Sequence, residues 1–274
     1  MRKISRKRLN DLDGKTWFSF SFSIWRDIRK SSEEMKLSHP AIFPIALTSR
    51  IIKIFTTKDA TVLDPFMGCG STIISAILEK RKGIGIDLSK EYYEITKKRI
   101  DNLGLKLFEP DFHKPQIYND DARNILKYVT RSSIDLCVTS PPYWNILTEQ
   151  RTSDRKEAIS YSNSKKDLGN IGDYDKFLEE LKVIFKKIHE VLKENGYCVV
   201  VVMDIRKRDK FYSFHSDIAQ KMKEIGFAFE DIIIWDRQHE YNNMRPIGYP
   251  YAFRVNKVHE YLLIFKKVKE NVES

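Results

Sequence analysis

Apolar positions change period repeatedly along this 274-residue chain once residue 60 is passed. ATVLDPFM (60–67) is mostly apolar and ends at turn residues, which predicts a buried strand. STIISAILEKRK (71–82) spaces Ile74, Ala76, Ile77 and Leu78 as a helix does, with Ser71 the expected N-cap. GIGIDL (83–88) predicts a short strand, and SKEYYEITKKRIDNLG (89–104) a helix opened by Ser89 and closed near Gly104. IDLCVTS (134–140) reads as the next strand, and YDKFLEELKVIFKKIHEVLKENG (174–196) as an amphipathic helix stopped by glycine. YCVVVVMD (197–204) predicts a central strand and SDIAQKMKEIG (216–226) a helix. FEDIIIWD (229–236) and HEYLLIFKK (259–267) read as the last two strands.

Alternation of this kind predicts an α/β fold with a parallel sheet and helices on both faces. In such sheets ligands bind outside the carboxyl ends of the strands. Three loops fall there: DPFMGCGST, GIDLS and TSPPYWN. Two segments depart from the pattern. Residues 145–172 are polar and Ser/Lys-rich, and residues 237–257 mix Arg, Asn, Tyr and Phe without periodicity. Loops of that length are usually functional or disordered. GKTWFSFSFSIWRDIRK (14–30) is aromatic and basic; a core strand, a cover over the ligand site and a nucleic-acid contact all fit it.

Composition narrows the classes. Hydrophobic residues make up 42%, as in ordinary globular chains. No apolar run approaches the ~20 residues that span a bilayer. No apolar stretch follows the basic MRKISRKRLND, so a cytoplasmic protein without a membrane partner is expected. Cys69, Cys137 and Cys198 form no CxxC pair or metal-ligand spacing, and are read as buried thiols with no metal site. His39, His215 and His259 likewise lack ligand spacing and are read as structural. The formal net charge of +10 favours a polyanionic partner, although lysine usage alone can produce it.

The strand-end loops carry the candidate chemistry. Gly68 and Gly70 would let backbone approach a ligand closely, but the pattern is neither GxGxxG nor a P-loop. Asp87 follows Asp64 by 23 residues and ends the second strand, where an acid commonly receives the two hydroxyls of a ribose. A ligand built on adenosine without phosphates would need no pyrophosphate site. Asp121 precedes a helical turn; it is either a plain N-cap or an acceptor for an adenine amino group. Ser140-Pro141-Pro142-Tyr143 is a rigid strand exit on its own, since neither proline can donate to a ladder.

Together these motifs resemble the S-adenosylmethionine-dependent DNA amino-methyltransferases, which modify N4 of cytosine or N6 of adenine. DPFMGCGST is similar to that family's cofactor loop and GIGIDLSKEYYEITKKRI to its ribose-binding strand and helix. TSPPYWN is similar to its catalytic S/D/N-P-P-Y/F/W motif, and HPAIFP (39–44) to the segment covering the methionine end of the cofactor. The order, with the cofactor loop before the catalytic motif, resembles the gamma arrangement.

The resemblance implies a Rossmann-like methyltransferase fold with a mostly parallel seven-stranded sheet. It implies one catalytic domain over residues 1–274, with an N-terminal extension (1–38) and DNA-contacting insertions (145–172 and 237–257). Ser140, Pro141, Pro142 and Tyr143 would be catalytic. Phe43, Pro44, Asp64, Phe66, Gly68, Gly70, Ser71, Thr72, Asp87 and Asp121 would hold S-adenosyl-L-methionine. Ser140 Oγ and the Pro141 carbonyl would accept from the target amino group, with Tyr143, and Trp144 beside it, offering a stacking face. Arg237, Asn242, Asn243, Arg245 and Arg254 have side chains that read bases and phosphates. A serine head points to N4-cytosine in double-stranded DNA, with a cognate restriction endonuclease as a further partner. N6-adenine, an RNA base, and a non-catalytic binding subunit are the alternatives.

Overall fold

The computed structural model describes residues 8–36, 43–104, 113–146, 167–241, 244 and 246–269. The N-terminal part contributes α1 (Gly14–Phe20), β1 (Ile24–Trp25), α2 (Ser32–Met35) and α3 (Ile45–Phe55). The alternating part follows as β2 (Thr61–Asp64), α4 (Ser71–Leu78), β3 (Lys82–Asp87), α5 (Lys90–Gly104), β4 (Gln116–Asn119) and β5 (Ile134–Thr139). A 3-10 turn, Ala122–Lys127, stands between β4 and β5. The remainder is α6 (Tyr174–Val191), β6 (Leu192–Val202), β7 (Ile205–Lys207), β8 (Lys210–Tyr212), α7 (Phe214–Ile225), β9 (Phe227–Asp236) and β10 (His259–Lys267).

The main sheet has the order β1-β9-β10-β6-β5-β2-β3-β4, while β7 and β8 form a separate hairpin. Only β10 runs antiparallel to its neighbours in the main sheet. The sheet therefore has eight strands where seven were expected. Two of its strands were not among those read from the pattern: β4, and β1, whose Ile24 and Trp25 pair with Ile234 and Trp235. Runs of two and four residues are too short to give a periodic signal.

Side-chain alternation sends the strands' residues to two cores. Cys198, Val200 and Val202 face α6 and α7 together with Leu63, Cys137 and Leu263. Val199 and Val201 face the other way, with Val62, Val138 and Leu262, and meet α3 and the N-terminal Trp25 and Ile28. Helix α4 packs on that second side and joins α5 through Ile74, Ile77 and Ile100. Helix α3 presents Leu47, Thr48, Ile51 and Ile52 as one buried stripe.

Several boundaries differ from expectation for local reasons. Helix α6 ends at Val191, and Leu192–Gly196 begins β6 rather than continuing the helix. The turn needed there is made by Asn195 at φ 61, three residues after β6 first pairs with β5 at Leu192. The N-cap of α4 is Gly70, not Ser71. The N-terminal extension follows the core reading at Trp25 and Ile28, while Trp17, Phe18 and Phe22 are exposed. Among the described residues, no helix is long and apolar enough to cross a membrane.

Candidate active site

After Asp64 ends β2, the chain turns through residues 65–70 into α4. Met67 N donates to Ile86 O at 3.0 Å and Gly70 N to Met67 O at 2.8 Å, which folds the turn against β3. Gly70 has φ 78, a left-handed conformation that L side chains rarely adopt. A Cβ there would stand 2.4 Å from Thr96 Cγ2 on α5. Thr96 Oγ1 in turn donates to Gly68 O at 2.9 Å. The glycine lets α5 lie directly over the loop, and α5 holds the loop in place.

Two carboxylates back this loop, Asp64 buried and Asp87 half-buried. Asp87 Oδ2 accepts from Gly68 N and Oδ1 from Ser89 N, both at 2.8 Å. Asp64 Oδ1 accepts from Thr139 Oγ1 at 2.7 Å and from Phe66 N at 3.1 Å. Burial pushes both carboxyls up to about 6, against the pull of these hydrogen bonds. The charges of Asp64 and Asp167 push Asp87 further. The Thr72 hydroxyl is buried on this wall and meets no partner in hydrogen-bonding geometry. Cys69 also lines this wall, and burial pushes its thiol up to about 12, so it behaves as an apolar group.

Asp121 follows the N-cap reading: it caps the 3-10 turn by accepting from Arg123 N at 2.9 Å. Its oxygens also grip the Arg123 guanidinium, with Nη2 at 2.8 Å, and Arg123 extends to Glu180 at 2.7 Å. The charge of Asp121 is thus largely matched, while its edge still lines the cleft. Asp167, buried at the end of the polar segment, accepts from Gly169 N at 2.8 Å.

The loop after β5 faces these acids. Ser140 Oγ donates to Tyr143 OH at 3.5 Å, and Tyr143 OH donates to Glu260 Oε2 at 3.1 Å. The other Glu260 oxygen accepts from Arg237 Nη1. Arg237 Nη2 reaches Glu240 at 2.6 Å, and Lys30 from the N-terminal extension reaches the same Glu240 oxygen at 3.0 Å. Glu260 is only 3% exposed. Although burial opposes its charge, Glu260 and Glu240 hold the Arg237 guanidinium above its usual range. Trp144 does not offer a stacking face. It is buried, donates to Ile171 O at 2.7 Å, and packs edge-on against Tyr174 and Tyr212.

One cleft gathers most of the predicted residues. Phe43, Asp64, Phe66, Gly68, Ser71 and Thr72 line it, as do Asp87, Asp121, Ser140, Pro141, Pro142 and Tyr143. Pro44 and Gly70 do not; they are the N-caps of α3 and α4. Tyr92 and Asp167 line the cleft without having been singled out, and Glu260 stands behind Tyr143. Of the suggested base readers, Arg237 is locked in buried ion pairs and Arg254 pairs with Asp209. Asn242, Asn243 and Arg245, residues 39–42, and residues 147–166 of the first insertion lie outside the described residues. Among the described residues, no cluster of His, Cys, Asp or Glu is placed to hold a metal ion.

A mostly parallel sheet with carboxylates at successive strand ends, facing a Ser-Pro-Pro-Tyr loop, defines a Rossmann-like methyltransferase. A family model described as DNA methylase (N6_N4_Mtase) matches residues 2–98 and 134–273, and the chain belongs to that family. It is 35% identical over 98 residues to the type II methyltransferase M.BglI of Bacillus subtilis, covering 36% of this chain and 27% of that protein. It is 34% identical over 109 residues to the orphan methyltransferase M.BamHII of Bacillus amyloliquefaciens, covering 37% and 41%. The chain thus aligns with less than half the length of these two curated relatives. TrmN from Thermus thermophilus shares the fold, with a TM-score of 0.54 over 84% of this chain and 51% of that one at 12% identity. A SAM-dependent methyltransferase of Methanosarcina mazei does so at 0.51, over 84% and 99% with 14% identity.

The family's methyl donor is S-adenosylmethionine, and the cleft fits it. A sulfonium and an ammonium group carry positive charge toward a wall that includes Asp64, Asp87 and Asp167. The unpartnered Thr72 hydroxyl leaves a buried polar atom for a ligand to satisfy.

Proposed function

We propose that this chain is a site-specific DNA amino-methyltransferase acting on N4 of cytosine in double-stranded DNA, as the modification partner of a restriction endonuclease. The observation that carries the reading is the single cleft in which the Ser140-Pro141 edge faces the acidic donor side. The names of the type II relatives support the restriction–modification setting. The proposal takes residues 1–274 as one catalytic domain.

S-adenosylmethionine supplies an electrophilic methyl group. Asp87 would receive the ribose hydroxyls on its remaining lone pairs. Asp121, held by Arg123, would sit by the adenine and Phe43 by the methionine end, with Pro44 supporting Phe43 from the cap of α3. An exocyclic amine is a weak nucleophile because its lone pair is delocalised into the ring. Ser140 Oγ and the Pro141 carbonyl would accept from its two N–H groups and favour the pyramidal form that can attack. The prolines fix φ, so this pair of acceptors is preorganised. Tyr143 gives the base a face, and the base leaves the duplex to reach it.

The DNA side would be the edge where β5, β6 and β9 end. The β7–β8 hairpin lies there and joins the catalytic loop, since Lys207 Nζ donates to Asn145 Oδ1 at 2.9 Å. Beside it, Ile247 and Arg254 bridge the base of a turn that carries Tyr251 and Phe253, 94% and 96% exposed. Aromatic tips among Lys and Arg suit contact with stacked bases and phosphates. A serine head group, through the resemblance, favours cytosine.

Mass spectrometry of nucleosides from DNA incubated with the protein and S-adenosylmethionine tests the reading. N4-methylcytosine is expected. N6-methyladenine would overturn the base assignment alone, and methylation confined to RNA would overturn the substrate.

A further inference from the structure

We propose that Glu260 is a positioning residue for methyl transfer: through the Tyr143 hydroxyl it fixes Ser140 as an acceptor toward the target amine. The inference rests on the reading of Ser140 given above. Strand topology brings Glu260 to the site. The parallel strands present their last residues at this edge, whereas antiparallel β10 presents its first ones. Glu260 is the second residue of β10 and pairs in register with Trp235 near the end of β9.

The chain of hydrogen bonds has a direction. An ionised carboxylate only accepts, and Glu260 is ion-paired to the buried Arg237 guanidinium. Tyr143 OH must therefore donate to Glu260 Oε2. Its oxygen is left to accept, and the Ser140 proton is directed there. A serine hydroxyl has one proton and two lone pairs. With the proton turned toward Tyr143, the lone pairs remain for the cleft. The 3.5 Å separation is long, as such contacts are before substrate arrives, and it would shorten in the complex. Without the Glu260 charge, Tyr143 could donate to Ser140 instead. Ser140 would then point its own proton at the amine's N–H groups, and like would meet like. A carboxylate head group would need no such help, because it has no proton to place.

The ion pairs make Glu260 rigid as well as charged. Arg237 is clamped between Glu260 and Glu240 and lies 4.7 Å over the Trp235 ring. Lys30 completes the chain from the N-terminal extension.

The test compares Glu260→Gln, Tyr143→Phe and the double variant in single-turnover methyl transfer to cognate DNA, with binding of S-adenosylmethionine and DNA measured separately. Each single variant should lose about tenfold to a hundredfold in the rate of transfer, with both affinities within about twofold of wild type. The double variant should be no slower than the slower single, because one chain of bonds is cut twice. Losses that multiply in the double variant would overturn the proposal. Tyr143→Phe removes one oxygen and leaves the ion pairs whole, so it carries the test if Glu260→Gln misfolds; full turnover in that variant would overturn the proposal by itself. A wild-type protein that methylates no DNA would instead overturn the function on which the proposal rests, and the proposal with it.

Discussion

Thr139 Oγ1 donates to Asp64 Oδ1 at 2.7 Å, so the residue before Ser140 is tied to the acid that ends β2. Both groups are buried, and β5 and β2 are adjacent in the sheet. The two sides of the candidate cleft are therefore joined by a side-chain bond as well as by backbone pairing.

Cutting that bond should cost most when Asp64 is ionised. Thr139→Val is expected to lower unfolding free energy by about 1.5–3 kcal/mol above pH 7, the range for hydrogen bonds to charged groups. The loss should be smaller at pH 5, where Asp64, pushed up to about 6, is mostly protonated. Urea denaturation at the two pH values checks this. An equal loss at both would mean that Thr139 serves packing rather than the carboxylate.

The raised acids set opposite pH trends for stability and for donor binding. Asp64 and Asp87 move from 3.8 to about 6 on folding, so the native state binds more protons between those values. Stability of the ligand-free protein should fall as pH rises through that window, by about 1.4 kcal/mol per unit for each group at most. Binding of a cationic, hydroxyl-bearing donor needs the ionised forms, so affinity should rise over the same window and level off above about pH 7. Thermal melts and titration calorimetry across pH 4–8 measure both. Parallel trends would count against the assignment of these two acids.

Asp87→Asn isolates the charge from the loop geometry, since the amide oxygen can still accept from Gly68 N or Ser89 N. Donor affinity should fall by about tenfold to a hundredfold, equivalent to one charge-assisted hydrogen bond. Calorimetry on the folded variant decides the matter, and unchanged affinity would remove Asp87 from the binding site.

Gly70→Ala should destabilise the fold through both the φ of 78 and the 2.4 Å approach to Thr96 Cγ2. The backbone term alone is worth about 1–2 kcal/mol. In a Thr96→Ala background the steric part should shrink to the remaining 3.1 Å contact with the residue-96 Cβ while the backbone part stays, so the two substitutions should not add. Denaturation curves of the four proteins give the coupling directly.

DNA affinity should fall with salt at a slope of about −0.9 in log–log terms for each phosphate neutralised. Replacing Lys210 on the hairpin by Ala should reduce that slope by about one without changing sequence preference. A flat salt response would argue against a nucleic-acid substrate. Phe253→Ala, in contrast, should weaken binding with the slope intact.

The strand ends were readable because runs such as VVVV in β6 and LLIF in β10 are apolar on both faces, as strands covered by helices on both sides must be. The loop acids were readable from their places after such runs. What escaped had local signals pointing elsewhere. Gly70 caps α4 because a left-handed φ was needed, and the neighbouring Ser71 carried the usual capping chemistry without using it. LKENG keeps a helical look through residue 196, but pairing with β5 wins from Leu192. Trp144 sits in an aromatic motif that suggests stacking; only tertiary packing against Tyr174 and Tyr212 shows it to be core. Arg237 looked free among polar residues, and its partner Glu260 lies 23 positions along the chain on another strand.

The place of β10 has a consequence for how the molecule comes to be built. This strand follows β6 and β9 in the chain yet lies between them in the sheet. As the chain leaves the ribosome, β2 through β5 can assemble from near neighbours and form the donor-binding half early. Until β10 is threaded in, β9 and β1 have no sheet to join, and Tyr143 has no carboxylate to hold it. The half-made protein could grip a methyl donor but could not aim an acceptor at it. On the proposed function, competence to modify DNA would arrive in one step, when β10 is in place.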